Sequence, residues 1–202
     1  MLMPLLLLQS CIEIVEKIDV NDDRSGTINL SVSVMQGNFL MNLIRLGVDL
    51  DVLSEVEDMA EEAAGSLRES PGITNVQVAG SQKRGVVSLS FDFDNQRNLN
   101  RALYKVAGQE KTIFLPAVYK IRKGSFEKKN MTKLIELVVK EEQLELSPSL
   151  INYTTEVTLP RPAKSVSGKK ANLYQNRQTV RVSANLADIL ENSTNTGLKV
   201  RF

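Results

Sequence analysis

The sequence predicts an α+β fold: an antiparallel β-sheet built from hairpins, with two or three amphipathic helices packed on one face. Three observations lead there. Apolar and polar residues alternate in the opening third and again after residue 150, the period-two pattern of strands with one buried face. The alternating runs come in pairs joined by turns rich in Gly, Asn, Asp and Ser. Between the pairs the apolar spacing lengthens to that of a helix.

In the first pair, Ile12, Ile14, Ile18 and Val20 fall on one face, and Ile28, Leu30, Val32 and Val34 alternate with Thr27, Asn29, Ser31 and Ser33; Asn21 to Gly26 form the turn. Residues 36–49 are apolar but irregular and read either as a short helix on the sheet or as a flap. From about Leu50 a helix follows, with Leu53, Val56, Ala60, Ala63, Ala64 and Leu67 on one stripe, acidic residues in its first turn, and Ser70-Pro71-Gly72 as its stop. Ile73 to Val78 and Val87 to Phe93 make a second hairpin. Asp94-Asn95 caps a helix carrying Leu99, Ala102, Leu103 and Val106. Ile113 to Arg122 reads as a strand and Asn130 to Gln143 as a helix. The alternating run Ile151 to Leu159 then pairs with Val180, Val182 and Ala184, Leu186 to Leu190 form a helical turn, and Leu198, Val200 and Phe202 close the sheet.

Composition excludes much chemistry. The 202 residues contain no His, no Trp and a single Cys. Without His there is no imidazole base for a triad and no Cys/His zinc site, and one Cys forms neither an internal disulfide nor a CxxC pair. No cofactor and no bound metal are expected. Asp19 to Gly26 places oxygens like the start of a calcium loop, but Arg24 stands where that loop needs Gly and Leu30 where it needs Glu. Asp92 and Asp94 lie two apart at a strand end, and a helix cap explains Asp94-Asn95 as well as an acid pair does. The expectation is a protein that is not an enzyme.

Residues 1–10 carry no charge and include Leu5 to Leu8, a run too short to span a bilayer, ending in small residues before Cys11. Leu8-Gln9-Ser10-Cys11 resembles a bacterial lipobox. The resemblance implies that residues 1–10 are a truncated lipoprotein signal, cut off as the Cys11 thiol receives a diacylglyceryl group. Residues 11–202 are then one α+β domain, anchored to membrane through Cys11. A basic segment upstream of Met1 is expected in the gene. The stretch Tyr153 to Gly168 followed by Gln178 to Leu190, with the opening Val20-Asn-Asp-Asp-Arg-Ser-Gly-Thr27, resembles LppM-like bacterial lipoproteins, and the Asn/Asp-rich style after Cys11 resembles Bacteroidota envelope lipoproteins. That likeness implies a cell-envelope, outer-membrane lipoprotein with a β-rich domain that holds lipid or a protein partner.

Near-neutral overall charge hides a separation: residues 1–100 sum to −8 and residues 101–202 to +9. Lys120, Arg122, Lys123, Lys128, Lys129 and Lys133 fall within fourteen residues and are the candidate contact for an anionic partner, either lipid head groups or an acidic protein surface. Aromatic residues interleaved with them are sparse, so nucleic acid is not expected. Phe39, Leu40, Met41, Leu43 and Ile44 are the candidate apolar flap of a lipid-binding or lipid-transfer domain, the alternative to an accessory subunit of an outer-membrane or periplasmic assembly.

Overall fold

The computed structural model describes residues 12–34, 52–81, 85–108, 117–130, 132, 147–174, 176–191 and 194–202. Strands β1 (Ile12–Val20) and β2 (Gly26–Val34) form the first hairpin, with Ile12 opposite Val34 and Val20 opposite Gly26. The turn between them is tied by its own side chains. Asp23 Oδ1 accepts from the Ser25 amide at 3.0 Å and from Ser25 Oγ at 2.6 Å, and Asn21 Nδ2 donates to Ser25 Oγ. The second hairpin is β3 (Ile73–Ser81) with β4 (Val86–Phe93), and β4 also pairs with β2.

The α+β class and the hairpins are as the alternation predicts; the partners across longer distances are not local and differ. Strand β7 (Ile151–Thr158) lies parallel to β1, Ile12 opposite Ile151 and Ile18 opposite Val157. With β9 (Ala171–Tyr174) and β10 (Thr179–Asn185), this completes a mixed seven-stranded sheet ordered β3-β4-β2-β1-β7-β10-β9. β1 is its central strand. The short strands β5 (Tyr119–Arg122), β6 (Ser125–Lys128), β8 (Ser165–Ser167) and β11 (Leu198–Arg201) form a second sheet, ordered β5-β6-β11-β8. Alternation identifies an inward face for each strand but not which sheet it joins. The last strand therefore closes the second sheet rather than the first.

Both sheets turn apolar faces inward. Ile18, Ile28, Phe91, Val157 and Val180 from the first meet Tyr119, Phe126 and Val200 from the second in one buried cluster. Ala64 and Leu67 of helix α1 (Val52–Arg68) and Leu99, Ala102 and Leu103 of helix α2 (Gln96–Val106) complete it. Asn95 caps α2, accepting from the amides of Arg97 and Asn98. Helix α3 (Leu186–Leu190), capped by Asn185, packs near the other end of the strands, where Ile12, Ile151 and Leu186 make a smaller apolar cluster. The helix expected over residues 130–143 lies largely outside the described residues. Among the described residues no helix is long and apolar enough to cross a membrane.

Helix α2 also seals the exposed edge of β5. Asn100 is buried and acts as a substitute strand: Oδ1 accepts from the Tyr119 amide and Nδ2 donates to the Tyr119 carbonyl, each at 2.9 Å. Gln96 Oε1 accepts from the Ile121 amide at 2.8 Å. These bonds satisfy an edge that would otherwise recruit another chain, and they fix Tyr119 in place.

Two glycines give opposite expectations. At Gly26 an added Cβ would lie 2.0 Å from the Asp19 carbonyl oxygen and 2.7 Å from Phe93 Cζ, so Gly26→Ala forces the hairpin apart and destabilises by at least about 1–3 kcal/mol. Gly65 sits inside α1 with nothing within 4 Å of the added atom, so Gly65→Ala stabilises by roughly 0.5–1 kcal/mol through helix propensity. Urea denaturation of the two variants checks both signs.

Candidate functional site

The inward row of β1 reads Ile12, Ile14, Glu16, Ile18, Val20, so strand parity delivers a carboxylate into the core. The same parity on β6 sends Phe126 and Lys128 inward. The two meet: Lys128 Nζ donates to Glu16 Oε2, with side chains 0% and 1% exposed. The other two ammonium protons go to Tyr153 Oη at 2.7 Å and Thr155 Oγ1 at 2.5 Å, both from β7. Tyr153 Oη in turn donates to Glu16 Oε2 at 2.7 Å, Thr155 Oγ1 donates to the same oxygen at 3.1 Å, and Tyr119 Oη donates to Glu16 Oε1. Every donor in the group reaches an acceptor, which a buried ion pair requires if it is not to be strongly destabilising.

Burial pushes the Glu16 carboxyl up, but the Lys128 ammonium and the hydrogen bonds from Lys128, Tyr119 and Tyr153 outweigh it and hold the group below the ordinary carboxylate value. Burial lowers Lys128, opposed by Glu16. The phenols of Tyr119 and Tyr153 are pushed well up by burial and by the neighbouring carboxylate. The arrangement is therefore one charged pair and two neutral phenols, closed to water. It has no open position for a substrate. Its chemistry is to join β1 and β7 of one sheet to β5 and β6 of the other.

The structure divides the predicted basic cluster. Lys128 is not a surface contact, because the inward parity of β6 buries it against Glu16. Lys120 is half-buried and lies 3.7 Å from Glu127. Arg122 and Lys123 are exposed at the β5–β6 turn, Lys129 is half-buried, and Lys133 lies outside the described residues. Cys11 and the flap residues Phe39, Leu40, Met41, Leu43 and Ile44 also lie outside them. Asp23 is held below the ordinary aspartate value by its hydrogen bonds to Ser25, so the calcium-like turn directs this carboxylate to its own backbone and hydroxyl. Asp92 accepts from Thr27 Oγ1 and Asn75 Nδ2, each at 2.6 Å, whereas Asp94 accepts from Asn95 and Asn98 at the start of α2. They make separate bonds and no shared site. Among the described residues no three His, Cys, Asp or Glu side chains are grouped to hold a metal ion.

The two ends of the molecule differ. Lys123, Arg161 and Arg24 gather with Asp22 and Asp23 around an open depression at the β1–β2 turn, and Arg161 Nε lies 3.1 Å from Asp22 Oδ1. Ile12 lies at the opposite end of β1, eight residue steps or about 26 Å away. There the apolar cluster of Ile12, Ile151 and Leu186 is flanked by the half-buried Val34, Leu150 and Leu190.

No family model and no curated protein matches the chain. Among solved structures it is similar to the folded domain of LppM from Mycobacterium tuberculosis, determined by NMR, with 12% identity and a TM-score of 0.46 over 100% of this chain and 96% of that one. That similarity is too low to carry chemistry or partners across.

Removing either partner of the buried pair leaves an uncompensated charge, so Glu16→Gln and Lys128→Met each destabilise by about 3–5 kcal/mol. The double variant Glu16→Met/Lys128→Met removes both charges and leaves only the neutral hydroxyls of Tyr119, Tyr153 and Thr155 without their acceptor, so it is expected to lose less stability than either single variant, as urea titrations will read. Because the folded carboxyl sits below its unfolded value, the pair's contribution is complete above pH 4.5 and falls as pH drops through the folded value. The parent therefore loses melting temperature below that pH more steeply than the double variant.

Proposed function

We propose that the chain is a lipid-anchored, non-catalytic protein of a bacterial cell envelope that serves as a binding subunit of an outer-membrane or periplasmic assembly. The observation that carries this reading is the adjacency of Cys11 to the central strand. The lipobox-like Leu8-Gln9-Ser10-Cys11 ends one residue before β1 begins at Ile12. With Cys11 acylated, the sheet starts at the bilayer without a spacer and stands on its Ile12 end. Each buried methylene of the acyl chains contributes about 0.8 kcal/mol, and two or more chains make a stable anchor. The apolar cluster at that end suits the interface, and the β1–β2 turn points away from it. The non-catalytic part of the reading is supported by the sealed state of the Glu16–Lys128 group, where four groups with displaced proton affinity, Glu16, Lys128, Tyr119 and Tyr153, converge away from water.

A second reading, a lipid-binding or lipid-transfer domain, is favoured by Ile14, Leu30, Val32 and Val34. These share the inward face of the first sheet yet stay only half-buried, and Val34 is followed in the sequence by the stretch that includes the candidate flap. Native mass spectrometry of the Cys11→Ser protein offered phosphatidylethanolamine separates the readings: a retained phospholipid selects the second.

The anchor is tested by intact mass of the protein from envelopes. The expected species begins at Cys11, carries the added mass of its acyl chains, and partitions into the detergent phase on phase separation, whereas Cys11→Ser stays aqueous. A mature protein that retains Leu5 to Leu8 and an unmodified thiol overturns the reading.

A further inference from the structure

The outer face of the second sheet carries two rows of side chains, set by its register. In one, Glu127 on β6 stands opposite both Lys120 on β5 and Lys199 on β11, and Glu127 Oε1 comes within 3.7 Å of Lys120 Nζ. The row runs cation, anion, cation. In the next row Ser125 on β6 stands opposite both Arg122 and Arg201. Both arginines are exposed, and neither has an ion pair among the described residues. The flanking cations are repeated but the central anion is replaced by a hydroxyl.

Strands are about 4.8 Å apart, so the two arginine Cα atoms are about 10 Å apart across Ser125. An arginine side chain is long enough at that separation for two guanidinium forks to converge over the serine and bind the oxygens of one carboxylate. The Ser125 hydroxyl beneath them supplies a further donor. Gly124, at φ +75 in the tight β5–β6 turn, keeps Arg122 and Ser125 in direct opposition. The row lies toward the β1–β2 turn end, since Phe202, next to Arg201, donates its amide to the Gly124 carbonyl and Lys123 lines the depression with Asp22.

We propose that Arg122, Ser125 and Arg201 form a docking site for a carboxylate presented by an acidic segment of a partner protein. A discrete carboxylate fits better than a polyanionic sheet such as a bilayer surface, because Glu127 in the neighbouring row and Asp22 and Asp23 at the same end would be pressed against uniform negative charge. The site gives the binding subunit proposed above its partner chemistry. It rests on that reading only in the role assigned to the partner; the binding itself needs no acyl chain.

The test uses the full chain with Cys11→Ser and a fluorescein-labelled oligoglutamate peptide, followed by anisotropy at several salt concentrations. The parent binds the peptide, more weakly as salt rises. Arg122→Ala, Arg201→Ala and Ser125→Glu each weaken binding by roughly tenfold or more. Ser125→Glu is decisive, because it supplies the missing anion internally and rebuilds the Lys120–Glu127–Lys199 pattern, so it melts at or above the parent temperature while losing the peptide. Peptide affinity unchanged in Ser125→Glu overturns the proposal. So does binding to vesicles of phosphatidylglycerol in phosphatidylcholine that is as tight as peptide binding and lost in the same variants, which would make the site a lipid contact. An unacylated Cys11 in the envelope leaves this assay intact, and a peptide that fails to bind leaves the anchor intact, so the two failures are read separately.

Discussion

One ammonium and one carboxylate, closed off from water, keep the two sheets in a single relation. Apolar contact between Phe126, Val200, Ile18 and Val157 is strong but has no direction. Sheets packed only in that way tolerate small slips. A slip of the second sheet along the first would strand Glu16 and Lys128 in the core without partners, a far larger cost than any loss of apolar contact. The hydroxyls of Tyr119, Tyr153 and Thr155 sharpen this, because their hydrogen bonds lapse within a fraction of an ångström. The bonds from Asn100 and Gln96 to the β5 backbone carry the same register outward to α2.

With the sheets locked, the surfaces keep a fixed geometry. Alternation on β5, β6 and β11 puts Tyr119, Phe126, Lys128 and Val200 inside and Arg122, Ser125, Glu127 and Arg201 outside. The residues that hold the core and those proposed to meet a partner therefore occupy successive positions of the same short strands.

Much of the fold is written in local pattern. The turn Asn21 to Gly26, the cap at Asn95, the stop at Pro71-Gly72 and the inward faces of β1, β2, β4, β7 and β10 follow from residue type and spacing alone. Pairing between β1 and β7 does not, because nothing local links strands 139 residues apart. Nor does the division into two sheets, since a strand of four residues offers too little pattern to state its neighbours. The buried pair had a visible trace. The row Ile12, Ile14, Ile18, Val20 skips position 16, and the parity of Glu16 places it inside; a lone acid on an apolar strand face implies a buried cation elsewhere. Lys128 is harder to find, as it sits in a basic run whose neighbours are exposed. Charge density along the chain and charge at the surface are different quantities, and here one strand's alternation separates them.

The parallel pairing of β1 with β7 also governs when the molecule becomes itself. The middle strand of the large sheet precedes every other described strand in the chain, and one of its two edges stays bare until β7 is made, about two thirds of the 202 residues further on. Contacts across such a span form slowly, because the intervening loop must be closed before they reward it. During that interval the central strand lacks one of its two partners, and the sheet consolidates only after the carboxyl-terminal half of the chain arrives.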